Sequence, residues 1–350
     1  MESTCRIRHS VCLNPVTHQD DVAVELGLYI CRVCFRFMSR SSLMKYHVIY
    51  NPIAGRRKQS RIADIVARLR SNGLAVTVQP TTGPGHAIDL AHAIAGAQSS
   101  DVIVAAGGDG TISECATGLL NALDEGLSDD LLPPLGILPM GTANVMAHDL
   151  GIITTGGIAR RKITRMLMRG DVRSLRLGQV ENALERRAFV MMVGAGFDGD
   201  VVAAINPATK KRWGKLAYVQ AGLAAFVAGP NGGARLETSG EPTSVSPWVI
   251  VTNGQHYAGG YRLTRRTSLS RNTLAAFAVR GKSRAALARA NMCLGANLFD
   301  TPFNAQSHVS DRFRIAPADK TCFVEVDGDY FGLAPVDISI AEKPIKILVP

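Results

Sequence analysis

Hydrophobic and polar positions alternate with two different periods between Met44 and about residue 144. Short apolar runs predict buried strands over residues 48–50, 74–78, 102–106 and 135–138. Helices are predicted between these strands. One covers residues 85–97, and two others have apolar residues three or four positions apart. These residues are Ile62, Ile65, Val66 and Leu69 in the first, and Ile112, Cys115, Ala116, Leu119, Leu120 and Leu123 in the second. This alternation of strand and helix predicts an α/β domain with a doubly wound parallel sheet.

The second half of the chain, from about Asp171, is rich in predicted strands. They cover residues 174–180, 189–193, 249–252, 274–279 and 323–326, and strands recur within 338–349. One long helical stretch covers about residues 215–227. A chain of 350 residues can bury a large core and commonly forms two domains. We therefore predict an α/β domain followed by a β-rich one.

Four loops that follow the predicted strands carry glycines, hydroxyl groups or basic residues. They are residues 51–58, 81–86, 107–111 and 139–144. In an open parallel sheet these loops lie at one edge, where ligands bind. Each loop taken alone is ordinary turn chemistry, but the four together predict a single binding crevice. None of them ends in the Gly-Lys-Ser/Thr of a P-loop.

The sequence Gly107-Gly108-Asp109-Gly110-Thr111 lies between a buried strand and an amphipathic helix, and it predicts a phosphate site. Glycines let the backbone approach a ligand without a Cβ in the way, and the free amides at a helix N-terminus favour an anion. A carboxylate beside phosphates is repelled unless it holds a metal, accepts a proton or is held by hydrogen bonds. Asp109 therefore has one of these three roles. A glycine-rich turn with a capping Asp is also common in α/β proteins of other functions.

Composition and charge narrow the range of partners. The net charge of +10 and the pI near 9.5 indicate attraction to nucleotide phosphates or to an anionic membrane surface. Only 6% of residues are aromatic and no basic stripe is interleaved with them, so nucleic acid is not expected as a partner. No run of about 20 apolar residues and no secretory signal is found. We expect a cytoplasmic protein with peripheral membrane contact; the sequence leaves its oligomeric state open.

The first 43 residues show no sustained hydrophobic period. Because Met44 directly precedes the first predicted strand, we interpret residues 1–43 as a disordered extension or as the product of a start codon placed too far upstream. Cys31 and Cys34 have the spacing of half a zinc site, but six residues separate Cys5 from Cys12 instead of the usual two to four. Zinc is therefore not favoured there, and disulfides are not expected without a secretion signal.

Four motifs occur in the order seen in the diacylglycerol kinase catalytic-domain family, which includes bacterial lipid kinases, sphingosine kinases and ceramide kinases. They are Asn51-Pro52, Gly107-Gly108-Asp109-Gly110-Thr111, Leu138-Pro139-Met140-Gly141-Thr142-Ala143-Asn144 and Val326-Asp327-Gly328-Asp329. The chain resembles this family from about Met44 to Pro350. The resemblance implies an ATP-binding α/β domain over residues 44–172 and 334–350, to which the C-terminal strands return. It also implies a sandwich-like lipid-substrate domain over residues 173–333.

The resemblance further implies transfer of the γ-phosphate of ATP, with Mg²⁺, to the hydroxyl of a lipid alcohol such as diacylglycerol or a sphingoid base. ATP contacts are implied for Asn51, Thr81, Gly107, Gly108, Asp109, Gly110, Thr111 and Thr142. Asp109 would belong to the catalytic network that positions phosphate and metal. A matching acid in sphingosine kinases holds the lipid headgroup, which implies that role for Asp198 or Asp200. A pair of turn aspartates is the alternative.

Two departures from the family pattern bear on activity. The family's catalytic base is the Glu of an Asp-Gly-Glu triplet, and this chain has Asp329 at that position. We predict that Asp329 is the base, although its reach is shorter and a misplacement of about 1 Å can cost on the order of 10²-fold in rate. The family also usually has an Asp-Gly pair at a structural Mg²⁺ site, where this chain reads Ser270-Arg271-Asn272. We therefore predict that this protein-held metal is lost.

Two other functions share part of these motifs. NAD kinases have the Gly-Gly-Asp-Gly-Thr turn, but the later Gly-Thr-Ala-Asn loop and the Asp327-Gly328-Asp329 triplet favour a lipid kinase. A non-catalytic nucleotide- or lipid-binding relative is the remaining alternative, because of the two departures. The sequence does not indicate which lipid alcohol is used.

Overall fold

Strands and helices alternate along the first half of the chain, and strands predominate in the second half. A computed structural model of the protein describes residues 43–52, 56–141, 143–152, 157–169, 171–205, 215–229, 232–238, 241–258, 260–319 and 321–350. The strands are β1 (Lys45–Tyr50), β2 (Ala75–Pro80), β3 (Val102–Gly107), β4 (Leu135–Pro139), β5 (Val172–Leu175), β6 (Gly178–Glu181), β7 (Arg186–Phe189), β8 (Met192–Gly196), β9 (Ala234–Thr238), β10 (Glu241–Pro242), β11 (Trp248–Thr252), β12 (His256–Tyr257), β13 (Tyr261–Arg262), β14 (Leu274–Val279), β15 (Ala305–Ser310), β16 (Arg312–Pro317), β17 (Phe323–Val326), β18 (Asp329–Leu333), β19 (Val336–Ile340) and β20 (Ile345–Leu348). The helices are α1 (Arg56–Ser71), α2 (His86–Gly96), α3 (Asp109–Asp124), α4 (Val145–Asp149), α5 (Gly157–Arg169), α6 (Phe197–Ala204), α7 (Lys215–Ala228) and α8 (Arg284–Gly295), and Asp129–Leu131 forms a short 3₁₀ turn.

The first sheet has the strand order β2-β1-β3-β4-β20-β5. Strands β1 to β4 and β20 are parallel, and β5 runs antiparallel to β20 at the edge. Strands β3 and β4 are buried throughout, as expected of parallel strands with helices on both faces. The predicted α/β fold class is confirmed, and the C-terminal strand β20 lies in this sheet.

The second and third sheets are antiparallel, with the orders β10-β9-β16-β19-β6-β7 and β15-β14-β11-β8-β17-β18. Alternate residues of each strand point to one face, so the inner faces of two stacked sheets share a core. That core takes members from both sheets, including Val180, Phe189, Val193, Leu236, Val249, Val251, Phe313, Ile315, Val324, Val326 and Ile338. The β-rich part of the chain is therefore a sandwich.

The outer face of the third sheet is covered as well. Trp248 and Ile250 of β11 point away from Val249 and Val251 and belong to the larger hydrophobic core, which also contains the side chains of the parallel sheet. Residues 248–252 are consequently buried on both sides, which is why they read as an uninterrupted apolar run.

Helix α3 is fixed to the sandwich by buried hydroxyl groups. The Ser113 hydroxyl donates to the carbonyl of Ala188 in β7 at 2.6 Å, and the Ala188 N–H donates to Thr117 Oγ1 at 3.0 Å. These bonds satisfy a polar helix face that would otherwise be desolvated without partners. The helix that begins at the glycine turn is thus held in a fixed position relative to β7.

The structure corrects several predicted elements. The single strand predicted over residues 174–180 is two strands, because β5 pairs with β20 in the first sheet whereas β6 pairs with β19 and β7 in the second. The strand predicted over residues 189–193 is also divided, between β7 and β8. Helices α4, α5, α6 and α8 were not predicted. The domain boundaries near residues 172 and 334 stay predictions.

Some sequence-based expectations fall on other parts of the chain. Residues 1–42, with Cys5, Cys12, Cys31 and Cys34, and also Thr142 and Gly259 lie outside the described residues. Among the residues that are described, no helix has both the length and the hydropathy needed to cross a bilayer.

Candidate active site

The loops that follow β1 to β4 lie side by side at one edge of the parallel sheet. The strand order β2-β1-β3-β4 places the ends of these strands side by side along the sheet. The residues there are, in the same order, Thr81, Asn51, Gly107 and Gly141. Backbone bonds fix these loop starts: the Thr81 N–H donates to Tyr50 O at 2.9 Å and the Asn51 N–H to Ala106 O at 3.3 Å. Thr81 is 8% exposed. The crevice predicted from the four loops is therefore formed by parallel strands.

Two glycine turns touch each other through their backbones at the centre of this edge. A Cβ added to Gly141 would lie 2.5 Å from Gly108 Cα, and one added to Gly108 would lie 3.1 Å from Gly141 Cα. The Met140 N–H donates to Gly107 O at 2.7 Å. Because the obstructing atoms are backbone, a side chain at Gly141 would force the turns after β3 and β4 apart.

Asn144 holds the second of these turns. Its Oδ1 accepts the Gly141 N–H at 2.7 Å and its Nδ2 donates to Gly141 O at 3.1 Å. Its φ of 50° lies in the left-handed region, which Asn adopts more readily than most residues. The side chain of Asn144 is thus used to shape the loop.

The glycine turn after β3 opens α3 with little side-chain cover. Gly108 is the N-cap in an extended conformation, with no side chain to bond the first amides of α3. A side chain on Gly107 would overlap that of Thr111, which is partly buried beside it. The N-terminal amides of a helix beside bare glycine backbone are suited to bind an anion, so the predicted phosphate site stays a prediction with compatible geometry.

Asp109 does not face the crevice as an unpartnered carboxylate. Its Oδ2 accepts the Val145 N–H at 3.0 Å and its Oδ1 accepts the Met146 N–H at 3.0 Å. Burial raises the pKa of the Asp109 carboxyl, and these backbone bonds act in the opposite direction. The structure therefore shows hydrogen bonding, one of the three roles that the sequence left open for Asp109. These bonds join the start of α3 to the start of α4.

The Asp327-Gly328 pair is the two-residue turn between β17 and β18. Both residues have positive φ, 52° and 86°, which is the type I′ geometry that Asp-Gly favours in tight hairpins. The Asp327 carboxylate accepts the N–H groups of Val190, Met191 and Met192 at 2.8 to 3.0 Å. The Gly328 N–H donates to Glu325 Oε2 at 2.7 Å. The hairpin tip is therefore anchored on both sides.

Asp329 is the first residue of β18, directly after this anchored tip. Its Oδ2 lies so close to Gly110 that a Cβ added there would overlap it, so its carboxylate lies against the first turn of α3. Asp329 is partly buried. The anchored hairpin thus brings the predicted base to the glycine turn in spite of its short side chain.

Comparison with known proteins gives a family match over the part of the chain that contains the loops after β1 to β4. Residues 45–180 match the model of the diacylglycerol kinase catalytic domain. The resemblance drawn from the sequence motifs is confirmed. Asp198, Asp200 and Asp329 lie beyond the residues matched by this family.

Several relatives carry lipid-kinase names. The chain is 30% identical to a diacylglycerol kinase of Bacillus subtilis (strain 168) over 182 residues, which are 52% of this chain and 55% of that protein. It is 31% identical to the lipid kinase YegS of Escherichia coli (strain K12) over 164 residues, 46% of this chain and 50% of that protein. The chain therefore matches about half the length of these relatives. A diacylglycerol kinase of Mycobacterium tuberculosis (strain CDC 1551 / Oshkosh) is 28% identical over 329 residues, 89% of this chain and 97% of that protein.

A solved structure supports the fold over most of the chain. The structure of a diacylglycerol kinase from Bacillus anthracis str. Sterne matches 89% of this chain and 99% of that chain, with 19% identity and a TM-score of 0.67. At this identity the likeness concerns the fold alone. It covers both the parallel sheet and the sandwich, which the family match does not.

Asp198 is one of the two residues predicted to hold the headgroup of the lipid. It is buried in the first turn of α6 and is 5% exposed. Its Oδ2 accepts the Trp248 indole N–H at 2.8 Å and its Oδ1 accepts the Tyr257 hydroxyl at 2.7 Å. Asp200, two residues further, is partly buried. Both carboxylate oxygens of Asp198 are therefore bonded to aromatic side chains. Binding of a lipid headgroup by Asp198 or Asp200 stays a prediction.

A second buried acid, Glu325, was not predicted from the sequence. Glu325 Oε1 and Asp198 Oδ2 both flank Gly194, at 2.6 and 2.7 Å from the position of an added Cβ. Burial raises the pKa of Asp198 to about 6. Burial, with the charge of Asp198, raises the pKa of Glu325 well above its ordinary value. Burial also raises the pKa of Asp327 to about 7. These carboxyls retain protons in the folded protein at pH values where an unfolded chain would lose them.

We expect the stability of the protein to fall as pH rises from about 5 to 8, in part because of Glu325. An acid whose pKa is raised by folding stabilises the protein fully below its ordinary pKa and loses that contribution as pH rises through the folded value. Each proton held only by the folded state contributes a slope of about 1.4 kcal/mol per pH unit. Melting temperatures at pH 5 and pH 8 should therefore differ less in Glu325→Gln than in the wild type.

Glu237→Gln is the matched control for this prediction. Glu237 is on β9 and pairs with Arg314 at 3.9 Å near the surface. This substitution should leave the pH dependence of the wild type unchanged. A Glu325→Gln variant with the same pH dependence as the wild type would contradict the assignment.

Residues 270–272, where the family usually has an Asp-Gly pair, are held by local hydrogen bonds of Arg271. The Arg271 N–H donates to Ser268 O at 2.8 Å, and Arg271 Nη1 donates to Arg266 O at 2.8 Å. Arg271 stands in the sequence where the resemblance implies an acid of a metal site, and loss of that metal is expected from the sequence alone. The loss itself stays a prediction.

Proposed function

We propose that this protein is an ATP-dependent lipid kinase that transfers the γ-phosphate of ATP to the hydroxyl of a lipid alcohol, of the diacylglycerol or sphingoid type. The observation that carries the proposal is the position of Asp329, whose carboxylate lies against Gly110 at the glycine turn before α3. A carboxylate held at a phosphate-binding turn is suited to accept the proton of an attacking hydroxyl. The lipid-kinase names of the relatives support the same class of activity.

The residues of the crevice fit the phosphates of ATP. Gly108 and Gly141 leave backbone exposed where a Cβ would otherwise lie, and the first amides of α3 carry no cap from Gly108. We assign the phosphates of ATP to residues 107–111, with Asn51 and Thr81 beside them. Thr142 is proposed to contact ATP as well, as the sequence resemblance implies.

The site also fits Mg²⁺ held chiefly by the phosphates. Mg²⁺ commonly keeps several waters and takes one or two carboxylates together with substrate phosphates. Both oxygens of Asp109 already accept backbone N–H groups, so phosphate oxygens and water would supply most of the ligands. When bound, Mg²⁺ offsets the charge of the transferring phosphate.

In the proposed reaction Asp329 takes the proton of the lipid hydroxyl while that oxygen forms a bond to the γ-phosphorus. The bond from the γ-phosphorus to the bridging oxygen breaks, and ADP leaves with that electron pair. Asp109 is a positioning residue in this scheme, because both of its carboxylate oxygens accept N–H groups of α4 and so fix the start of α3. Asp327 positions Asp329 through the anchored hairpin.

The lipid is proposed to enter from the β-rich part of the chain, residues 173–333. Apolar side chains are exposed there on two helices, with Leu223 and Val227 of α7 each 63% exposed and Met292 of α8 68% exposed. Leu223 and Val227 are four residues apart and share one helix face. These side chains and the net charge of +10 support peripheral contact with an anionic membrane.

The proposal is tested by incubating the full chain and radiolabelled ATP with a panel of lipid alcohols in mixed vesicles, with NAD in a parallel reaction. We expect labelled diacylglycerol or sphingoid base and no labelled NAD. Label in NAD alone would replace the proposal by a NAD kinase activity. No label in any acceptor, with ATP binding retained, would make the protein a non-catalytic relative.

A further inference from the structure

Three potential metal ligands converge outside the proposed phosphate site. His148 and Asp149 end helix α4, and His256 lies in strand β12, 107 residues further along the chain. One ligand atom from each of the three side chains lies within 4.8 Å of the others. Donors bound to one Zn²⁺ ion are separated by roughly 3 to 3.5 Å, as Zn–N and Zn–O bonds near 2 Å require. Only a small rearrangement is needed to bring these donors to one ion.

The local backbone orients the carboxylate of this cluster. Asp149 Oδ1 is bonded to His256 Nδ1, and Asp149 Oδ2 accepts the Gln255 N–H at 2.7 Å. A Cβ on Gly254 would lie 2.5 Å from Asp149 Oδ2, so glycine at this position leaves room for the carboxylate. A second hydrogen bond that fixes a ligand is a common feature of metal sites.

The two imidazole rings are close and steeply inclined. The ring centroids of His148 and His256 are 4.4 Å apart with an angle of 66° between the planes. One ring nitrogen of each histidine lies within 4.8 Å of the other. His148 is exposed, and a cavity of about 480 Å³ is lined in part by His256, Thr264 and Asp300. Solvent can therefore reach the cluster and supply a fourth ligand.

We propose that His148, Asp149 and His256 bind a zinc ion, with water completing the coordination. Two imidazoles and one carboxylate suit Zn²⁺ and related transition metals, whereas Mg²⁺ and Ca²⁺ prefer oxygen ligands alone. The ion links α4 to the hairpin of β12 and β13. The first amides of α4 hold Asp109, and Tyr257 of β12 donates to Asp198. Zinc at this point stabilises the packing between α4 and the sandwich, independently of the activity proposed above.

The test uses the full chain without a histidine tag, freed of metal with a chelator and then titrated with Zn²⁺. His148→Ala is the main variant, because His148 is exposed and its removal leaves the bond between Asp149 and His256 intact. We expect this variant to lose one zinc equivalent, or to bind it at least about 100-fold more weakly. Zinc should raise the melting temperature of the wild type more than that of the variant.

His92→Ala is the matched control. His92 forms a surface pair with Glu125 at 2.8 Å, so it tests a histidine and carboxylate pair outside the cluster. It should bind zinc as the wild type does. Equal stoichiometry and affinity in the wild type and His148→Ala, or no zinc bound by the wild type at micromolar concentrations, would overturn the proposal.

Cobalt substitution separates this site from any binding by cysteines. Co²⁺ held by nitrogen and oxygen ligands absorbs in the visible without the strong near-ultraviolet band that thiolate ligands add. We expect a visible spectrum in the wild type that is absent from His148→Ala and from Asp149→Asn. A cobalt spectrum with only the thiolate signature, unchanged in both variants, would place the metal on cysteines and contradict the assignment.

Discussion

Replacing Asp329 by Asn should lower the rate of phosphate transfer from ATP to lipid by about 10²- to 10⁴-fold, the usual contribution of a general base. Asn has nearly the same shape and cannot accept the proton of the lipid hydroxyl. ATP affinity should change little, because the glycine backbone and the helix amides hold the phosphates in our account. Single-turnover rates and equilibrium ATP binding, measured on the same preparation, separate these two effects.

Asp337→Asn is the matched control for this substitution. Asp337 is on β19, pairs with Arg314 at 2.7 Å and has a side chain that is 64% exposed. It should retain the wild-type rate. A purified Asp329→Asn variant that also retains this rate would remove Asp329 from the reaction.

Gly110→Ala should abolish most of the activity while the protein remains folded, with a loss of at least about 10²-fold for a displacement of the base near 1 Å. The new Cβ would overlap Asp329 Oδ2, and this carboxylate is the flexible partner that has to move. Gly110 lies inside α3 without a positive φ, so Ala is compatible with its backbone and should not lower the melting temperature. The rate of phosphate transfer should therefore fall while the melting temperature stays near that of the wild type.

Gly96→Ala controls for the effect of Ala on a helix, because a Cβ at Gly96 meets no atom within 4 Å. The double variant Gly110→Ala/Asp329→Asn sharpens the test. If Gly110→Ala acts by displacing Asp329, it should have little further effect once Asp329 is Asn, because residues in contact are not additive. Full additivity of the two losses would show that Gly110→Ala acts elsewhere.

The loop-bearing edge of the parallel sheet could be predicted from the sequence because its signals are local. Strands β1 to β4 are short apolar runs, and Gly107 to Thr111 follows β3 directly, so the parallel fold alone brings the four loops together. The Asp327-Gly328 turn is equally local. Its anchoring through Val190, Met191 and Met192 is not, because these partners lie about 135 residues away.

Other parts of the site depend on long-range packing that no local pattern reports. Asp109 pairs with the first amides of α4, a helix of five residues that is too short to show a period. Glu325 alternates with Val324 and Val326, a pattern typical of a solvent-facing position. Here α6 packs on that face of the third sheet, so Glu325 is 2% exposed.

The central claim is that the terminal phosphates of ATP lie on the backbone of residues 107–111, within reach of Asp329. A crystal structure of the full chain with Mg²⁺ and a non-hydrolysable ATP analogue tests it most directly. Our account predicts the β- and γ-phosphates at the amides that begin α3, with the Asp329 carboxylate on the side from which a lipid hydroxyl would approach. An analogue bound away from Gly108 and Gly110, or a crevice closed by side chains in that crystal, would contradict it.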